Sequence, residues 1–321
     1  MSGSDFKVEN IFDVRGKVVV VTGGGTGLGK AITAGFIQNG AKVYITGRRQ
    51  EVLEATAKEI GGDIVSIKGD VSTKEGCSAI ANAFAAKESK LDVLINCAGV
   101  LRGWQTGVKD HNNADEVEKL LWEGHDEQRR FQLFQLQLGL FICKLAADTS
   151  NHLQPVNVNG VYFMTAALVP YLRKSEDPSV VVIASIAGLA NQRAMASVSY
   201  SVSKVTIQLS RLLAGRLHPM KIRVNTICPG IFPSEMTGKS DAGEGLEYDL
   251  NEASFKAGKR STIGRPFIYV ASSRAKSFIG RPGKPEEIVG PVLLLSSKAG
   301  GFFDGAMLTV DGGRLMASSS M

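Results

Sequence analysis

The sequence predicts a single α/β domain: a doubly wound, seven-stranded parallel sheet with helices on both faces. Three observations carry this expectation. Short β-rich apolar runs alternate with helical patterns along the chain. Most of those runs are continuous rather than alternating, as in strands covered on both faces. No linker-like stretch divides the 321 residues. With 44% hydrophobic and 21% charged residues the chain can bury a sizeable core, and 36 glycines with only 7% aromatics suit a sheet whose tight turns approach a ligand. The same figures exclude low-complexity disorder, collagen and a small disulfide scaffold.

In chain order the expected strands are 17–22, 42–46, 63–67, 91–95, 179–184, 221–226 and 306–310. Between the first two, residues 29–39 read as an Ala/Ile/Phe helix closed by Gly40, a glycine just past the last turn. Helical crossovers between parallel strands bring the ligand to the carboxyl ends of the strands.

Other signals narrow the class. Cys77, Cys97, Cys143 and Cys228 are widely spaced, with no ligand-like CxxC or His/Cys spacing, so reduced thiols are expected and no metal. Residues 1–17 are charged and lack an apolar core, so no signal peptide is expected. The most apolar stretch, 131–147, is interrupted by Gln132, Gln135, Gln137 and Lys144 and is too short and polar to span a bilayer. A soluble, cytoplasmic protein is the expectation. The net charge of +6 is scattered, without basic clusters interleaved by aromatics, so no nucleic-acid partner is expected. A few cations arranged for an anionic cofactor explain the excess equally well.

Residues 18–22, Val-Val-Val-Val-Thr, run straight into Gly23-Gly24-Gly25-Thr26-Gly27-Leu28-Gly29, which opens a helix. Glycines there let the backbone turn sharply and approach a pyrophosphate, while the helix N-terminus presents N–H groups and a positive dipole end. A plain tight turn is the competing reading. Further on, Tyr200 and Lys204 stand at i and i+4, one face of a helix. Carbonyl reduction needs a proton as hydride arrives, and a tyrosine, ordinarily near a pKa of about 10, needs a nearby cation to stabilise its phenolate. Lys204 can supply it. After the second strand, Gly47 stands where a carboxylate would favour the ribose 2′-OH of NAD, and Arg48 and Arg49 follow, able to grip a 2′-phosphate bidentately. NADP (NADPH) is therefore the expected cofactor. The competing reading is two solvated arginines at a helix start.

The spacing Thr22-Gly23-x-x-x-Gly27-x-Gly29, with Tyr200-x-x-x-Lys204, resembles the short-chain dehydrogenase/reductase family from about Gly16 to Gly313. The resemblance implies a Rossmann fold and an oxidoreductase. It implies cofactor contacts at Gly23, Gly25, Thr26, Gly27, Leu28 and Gly29, and at Asp70 and Val71 beside the adenine. It adds Asn96, Ala98 and Gly99 in an NAG-type turn where Cys97 replaces the commoner alanine. Tyr200 and Lys204 would hold ribose, and Pro229, Gly230, Ile231 and Ser234 would face the nicotinamide. It implies Tyr200 as general acid/base, Lys204 as its cation, Ser185 as the hydroxyl on the substrate carbonyl, and Asn157, rather than Asn159, as holder of a relay water. The partner it implies is a small carbonyl or alcohol substrate, with a homotetramer or homodimer as assembly. The stretch Pro229-Gly230-x-Phe232-Pro233-Ser234-x-Met236-Thr237 also resembles reductases of 3-ketoacyl chains. A non-catalytic NADP-sensing protein is the rival from another class; intact Tyr200 and Lys204 argue against it.

Two stretches depart from the family. Asn96 and Asn157 are 61 residues apart, far beyond the family's usual interval, and the extra chain includes a Gln/Leu alternation at 133–138 that fits a strand. Ile263-Gly264-Arg265-Pro266 recurs as Ile279-Gly280-Arg281-Pro282. Functional lids or contacts, tolerated surface disorder, and translated intron compete as explanations for about 129–154 and 267–282. Removing them restores family spacing, which favours the third and would make the full-length chain an inactive mis-spliced product. The stretch 189–199 is expected to enlarge the substrate mouth. Residues 235–260 stand where the family has its substrate lid, with Met236, Leu246, Tyr248, Leu250 and Phe255 as candidate lining.

Overall fold

A computed structural model describes residues 6–101, 154–189, 198–234 and 281–318. Seven strands form one sheet, all neighbours parallel: β1 Val18–Thr22, β2 Lys42–Gly47, β3 Ile64–Lys68, β4 Val93–Asn96, β5 Ser179–Ile183, β6 Arg223–Pro229 and β7 Met307–Val310. Their spatial order is β3-β2-β1-β4-β5-β6-β7. The chain therefore winds outward from β1 in one direction and from β4 in the other, which opens a crevice at the carboxyl ends of β1 and β4.

Each run predicted from sequence became a strand, with shifted ends. The fourth begins two residues later than expected and takes in Asn96, so this asparagine closes the strand rather than following it. The sixth runs on to Pro229. A parallel ladder ends where pairing ends, not where apolarity does: Val310 still pairs with Pro229.

Helices cover both faces. They are α1 Val8–Ile11, α2 Gly27–Gln38, α3 Gln50–Ile60, α4 Lys74–Ala85, α5 Gly160–Leu172, α6 Val198–Ser203, α7 Thr206–Leu217, α8 Pro285–Ser296 and α9 Arg314–Ser318. The expected helix at 29–39 starts two residues earlier, because the glycine turn itself supplies its first residues. Gly40 follows its end at φ +80°, as a terminating glycine should.

Strand side chains alternate between two apolar layers. Val18, Val20, Leu94, Val180 and Val182 pack with Phe84 of α4, Met164 and Leu168 of α5 and Leu213 of α7. Val19, Val21, Val93, Ile95, Val181 and Ile183 pack with Ile32 and Phe36 of α2 and Ile288 and Val292 of α8. Both faces of the central strands are therefore dry, which is the physical reason their sequences are continuous apolar runs. At the edge, β7 alternates exposed and half-buried residues.

Candidate active site

The glycine turn connects β1 to α2. Gly23 and Gly27 have φ +68° and +50°, a backbone region that favours glycine. A Cβ on Gly23 would stand 2.9 Å from Ala98 Cα, and one on Gly29 would run into the Gly23 carbonyl. The turn is thus packed directly against the segment after β4. Thr22 fastens the two: its hydroxyl accepts from the amides of Cys97 and Ala98, both at 3.0 Å. Thr26 begins α2 without a side-chain cap, and the first turn carries no acidic residue. Among the described residues, the amides of Gly25 and Thr26 have no hydrogen-bond partner. Unpaired donors at an uncapped helix start are a cradle for phosphate oxygens, so the residues present fit a dinucleotide.

The predicted catalytic residues converge on the crevice beside this turn. Asn157 lies in a π-helical turn, Pro155–Asn159, that leads into α5; such turns re-aim side chains at functional sites. It is 2% exposed. Its Oδ1 accepts from Val100 N at 2.9 Å, and its Nδ2 donates to Val100 O at 3.0 Å and to Ser203 Oγ at 2.8 Å. The Ser203 hydroxyl donates onward to the Tyr200 carbonyl at 2.7 Å. Lys204 is buried, with Nζ 5.7 Å from the centre of the Tyr200 ring. A Cβ on Gly99 would come within 3.2 Å of Lys204 Nζ and 3.4 Å of Asn157 Oδ1, so the ammonium and the amide meet over that glycine. The structure thus brings Asn157, Lys204 and Tyr200 together although extra chain precedes Asn157. Asn159 lies outside this contact, half-buried at the end of the turn.

Sequence predicted a continuous helical face for Tyr200 and Lys204; the structure breaks the helix after Ser203. The i to i+4 relation survives, since Lys204 N donates to the Tyr200 carbonyl at 3.0 Å. The short turn Ile186–Gly188 presses on the break: a Cβ on Gly188 would collide with the Lys204 carbonyl. Ser185 opens that turn, half-buried at the end of β5, with Oγ accepting from Ala187 N at 3.1 Å.

The remaining predicted residues ring the same edge. Asn96 Nδ2 donates to Thr165 of α5 at 3.1 Å. Asp70 Oδ1 accepts from Ser72 N at 2.9 Å, which shapes the turn after β3, and Val71 beside it is buried. Pro229 ends β6, Gly230 donates to the Val310 carbonyl, and Ile231 accepts from Gly283 N at 2.8 Å. Ser234 lies against the glycine turn, its Cβ 3.1 Å from where one on Gly27 would stand. Leu28 is half-buried in the first turn of α2. Arg48 and Arg49 are exposed past the end of β2, and Arg48 makes no ion pair among the described residues.

Burial pushes the thiols of Cys97 and Cys228 up to about 12, offset only in part by the Lys204 charge and, for Cys228, by the Ser185 backbone. Neither is poised as a nucleophile. Among the described residues no group of three or more His, Cys, Asp or Glu could hold a metal ion, and no helix is long and apolar enough to cross a membrane. Three contributors escaped the sequence reading: Ser203, which accepts from Asn157, and Thr33 and Thr56, whose hydroxyls donate to the Gly29 and Gly25 carbonyls of the glycine turn. For Ser203 a signal existed, its place immediately before Lys204. The expected substrate mouth falls largely, at 190–197, outside the described residues, as do the lid at 235–260 with its five lining residues, the alternation at 133–138 and the first copy of the repeat.

The parallel sheet, the uncapped glycine turn and the Tyr/Lys/Asn cluster define a dinucleotide-dependent oxidoreductase. A family model described as short chain dehydrogenase matches residues 17–122 and 140–245, more than half of the chain, and the protein belongs to that family, whose enzymes use nicotinamide cofactors. A short-chain dehydrogenase/reductase of Diaporthe leptostromiformis, PhomF, is 31% identical over 97% of this chain and 95% of its own. The rhamnolipids biosynthesis 3-oxoacyl-(acyl-carrier-protein) reductase of Pseudomonas aeruginosa is 29% identical over 94% and 97%. The solved Pseudomonas aeruginosa RhlG/NADP active-site complex superposes with a TM-score of 0.67 at 26% identity, covering 95% of this chain and 98% of that one.

Proposed function

We propose that the protein is an NADPH-dependent reductase that converts a ketone or aldehyde to the alcohol, reversibly. The observation that carries this reading is the meeting of Lys204 Nζ and Asn157 Oδ1 over Gly99, one helical turn from Tyr200. The bound nicotinamide supplies or accepts the hydride. Ser185 Oγ holds the substrate carbonyl oxygen by a hydrogen bond. The Tyr200 hydroxyl, a general acid, gives that oxygen a proton. The Lys204 ammonium stabilises the phenolate left behind and binds ribose hydroxyls. Asn157 fixes a water through which the proton is replaced from solvent.

The glycine turn from Gly23 to Gly29 would hold the pyrophosphate, Asp70 and Val71 would serve the adenine, and Asn96, Ala98 and Gly99 would line the site. Pro229, Gly230, Ile231 and Ser234 would contact the nicotinamide. Arg48 and Arg49 select NADPH by holding its 2′-phosphate, in keeping with the NADP named in the RhlG complex. Titrating the protein's fluorescence with NADPH and with NADH tests this. Tighter binding of NADPH is expected. Preference for NADH would overturn the assignment of Arg48, and binding of neither would overturn the dinucleotide site.

A 3-ketoacyl thioester is the second reading of the substrate, favoured by the name of the rhamnolipid relative. A cytoplasmic homo-oligomer remains the proposed setting. One domain with a core at about 16–313 is proposed, interrupted by insertions near 129–154 and 267–282; the family match skips 123–139, resumes at 140 inside the first stretch and ends before the second. Transcript reads lacking the two insertions are expected, and reads spanning both would overturn their assignment as translated intron.

A further inference from the structure

In the glycine turn the important groups are amides, and an amide cannot be aimed without its carbonyl. The peptide unit is planar and trans, so the Gly25 carbonyl and the Thr26 N–H point in opposite directions from one rigid plane. The Thr26 N–H has no partner among the described residues, whereas the Gly25 carbonyl accepts from Thr56 Oγ1 at 2.7 Å. Thr56 lies in the second half of α3, 31 residues away in sequence and only 3% exposed. A helical threonine usually turns its hydroxyl back to the carbonyl four residues earlier; this one reaches out of its helix. Its neighbours close the approach: a Cβ on Gly25 would meet Leu53 Cδ2 at 3.1 Å and Val52 Cγ1 at 3.3 Å. By contrast, Thr33 gives its proton to the Gly29 carbonyl at 2.8 Å and stands 3.4 Å from the Gly24 carbonyl. Thr56 therefore makes the short side-chain bond to the back of the turn.

We propose that Thr56 is a positioning residue for the cofactor: by holding the Gly25 carbonyl outward it aims the Thr26 amide at the dinucleotide phosphates. The proposal rests on the reading of the glycine turn as the pyrophosphate site. It predicts an effect shared by NADPH and NADH, because both carry the pyrophosphate, and this separates Thr56 from Arg48.

The test measures dissociation constants for NADPH and NADH by fluorescence titration of the full chain, with the melting temperature recorded without cofactor. Thr56→Val keeps the shape and removes the donor; it is expected to weaken both dinucleotides about tenfold, one lost hydrogen bond in binding terms. Thr56→Ser restores the donor and is expected to bind within about twofold of the parent, well under the energy of one hydrogen bond. Should the valine variant fail to fold, Thr56→Cys, a weaker donor of similar size, is expected to bind between the two. A Thr56→Val protein that melts lower but binds both dinucleotides as the parent does would reduce Thr56 to a structural contact and overturn the proposal. Weakening confined to NADPH would overturn it too. If the parent binds neither dinucleotide, the underlying reading of the turn fails instead.

Discussion

The two ends of the sheet are built on opposite rules. At the amino-terminal end, charged groups find partners, although the buried Ser296 hydroxyl beside Lys17 has none among the described residues. Asp92, buried, accepts from Val18 N at 2.9 Å and also receives Ser175 and Lys90. Arg223 is shared between Asp177 at 2.9 Å and the carbonyls of Leu295 and Gly300 at 3.1 and 2.9 Å, and Lys17 joins Asp177 from β1's side. Asn225 bridges Phe303 O and Ala306 N. At the carboxyl end, amides of the glycine turn are left unpaired, the Thr46 hydroxyl is buried without a partner among the described residues, and a lysine is buried beside a tyrosine ring. An unpaired buried donor destabilises a fold by roughly 1–3 kcal/mol, and the amides of the glycine turn stand where a bound dinucleotide would satisfy them. One end holds the sheet; the other waits for chemistry.

The carboxyl end of the sheet is most sensitive at Tyr200. Tyr200→Phe removes one oxygen from the open end, and turnover of any carbonyl the parent reduces is expected to fall by about a thousandfold, the scale of a lost general acid. Cofactor affinity is expected to weaken far less than turnover, since Lys204 still holds the ribose. NADPH oxidation followed by absorbance checks the first, and a variant that still turned over would remove the mechanism.

At the closed end the signs reverse. Arg223→Met strips partners from two buried carbonyls and from Asp177, and is expected to lower stability by about 2–4 kcal/mol in urea unfolding without changing dinucleotide affinity. Burial disfavours the Asp177 carboxylate, but Arg223, by charge and hydrogen bond, and Lys17 outweigh it and hold its pKa below the ordinary 3.8. The contribution is therefore complete above pH 3.8 and lost as pH falls through the lower folded value. The parent should lose stability in that acid window more steeply than Arg223→Met.

Arg48→Ala sharpens the contrast within the open end. An exposed cation contributes nothing to the fold, so melting should not move, while NADPH affinity is expected to drop about tenfold or more with NADH unaffected, the loss of a charge-assisted phosphate contact. Equal loss for both dinucleotides would show that Arg48 reads no 2′-phosphate.

How much of this was legible follows from the range of each interaction. The strands and the doubly wound class came from continuous apolar runs alternating with helical patterns, which report burial on two faces directly; the spatial order of the strands did not. Tyr200, Lys204 and the glycine turn were legible because their chemistry is local: four residues along a helix, seven along a turn. Asn157 was legible only through the family resemblance, and its hydrogen bonds to Val100 and Ser203 were not. Thr56 left no trace, since a threonine 31 residues from its acceptor looks like any other half-polar helix position until tertiary packing closes the gap. Strand ends shifted for the same reason, as ladders stop where the neighbouring strand stops.

The smallest expected effect concerns the repeat. In the full-length chain the second copy, at the approach to α8, anchors that helix, a place that Arg265 of the first copy would take in a product lacking 267–282. Arg281 grips Glu287 through both nitrogens at 2.7 and 2.6 Å, and Glu287 also accepts from Lys284 N at 2.7 Å. The adjoining Gly283 N bonds the Ile231 carbonyl, so the pair steadies the segment that carries Ser234. The Arg281 hydrogen bond, with help from the Lys284 backbone, lowers the Glu287 pKa from 4.5 to about 2. A lowered carboxylate contributes stability that is complete above pH 4.5 and drains away as pH falls toward 2. Because both side chains are about a third exposed, solvent screens the pair and only a few tenths of a kcal/mol are expected. Melting curves between about pH 5 and 2.5 should therefore be slightly shallower for Arg281→Gln than for the parent. Arg265→Gln, in the identical first copy, should follow the parent, since Glu287 is already engaged by Arg281. The opposite outcome, with Arg265→Gln flattening the curve, would mean that the first copy serves the anchor and would exchange the roles of the two repeats.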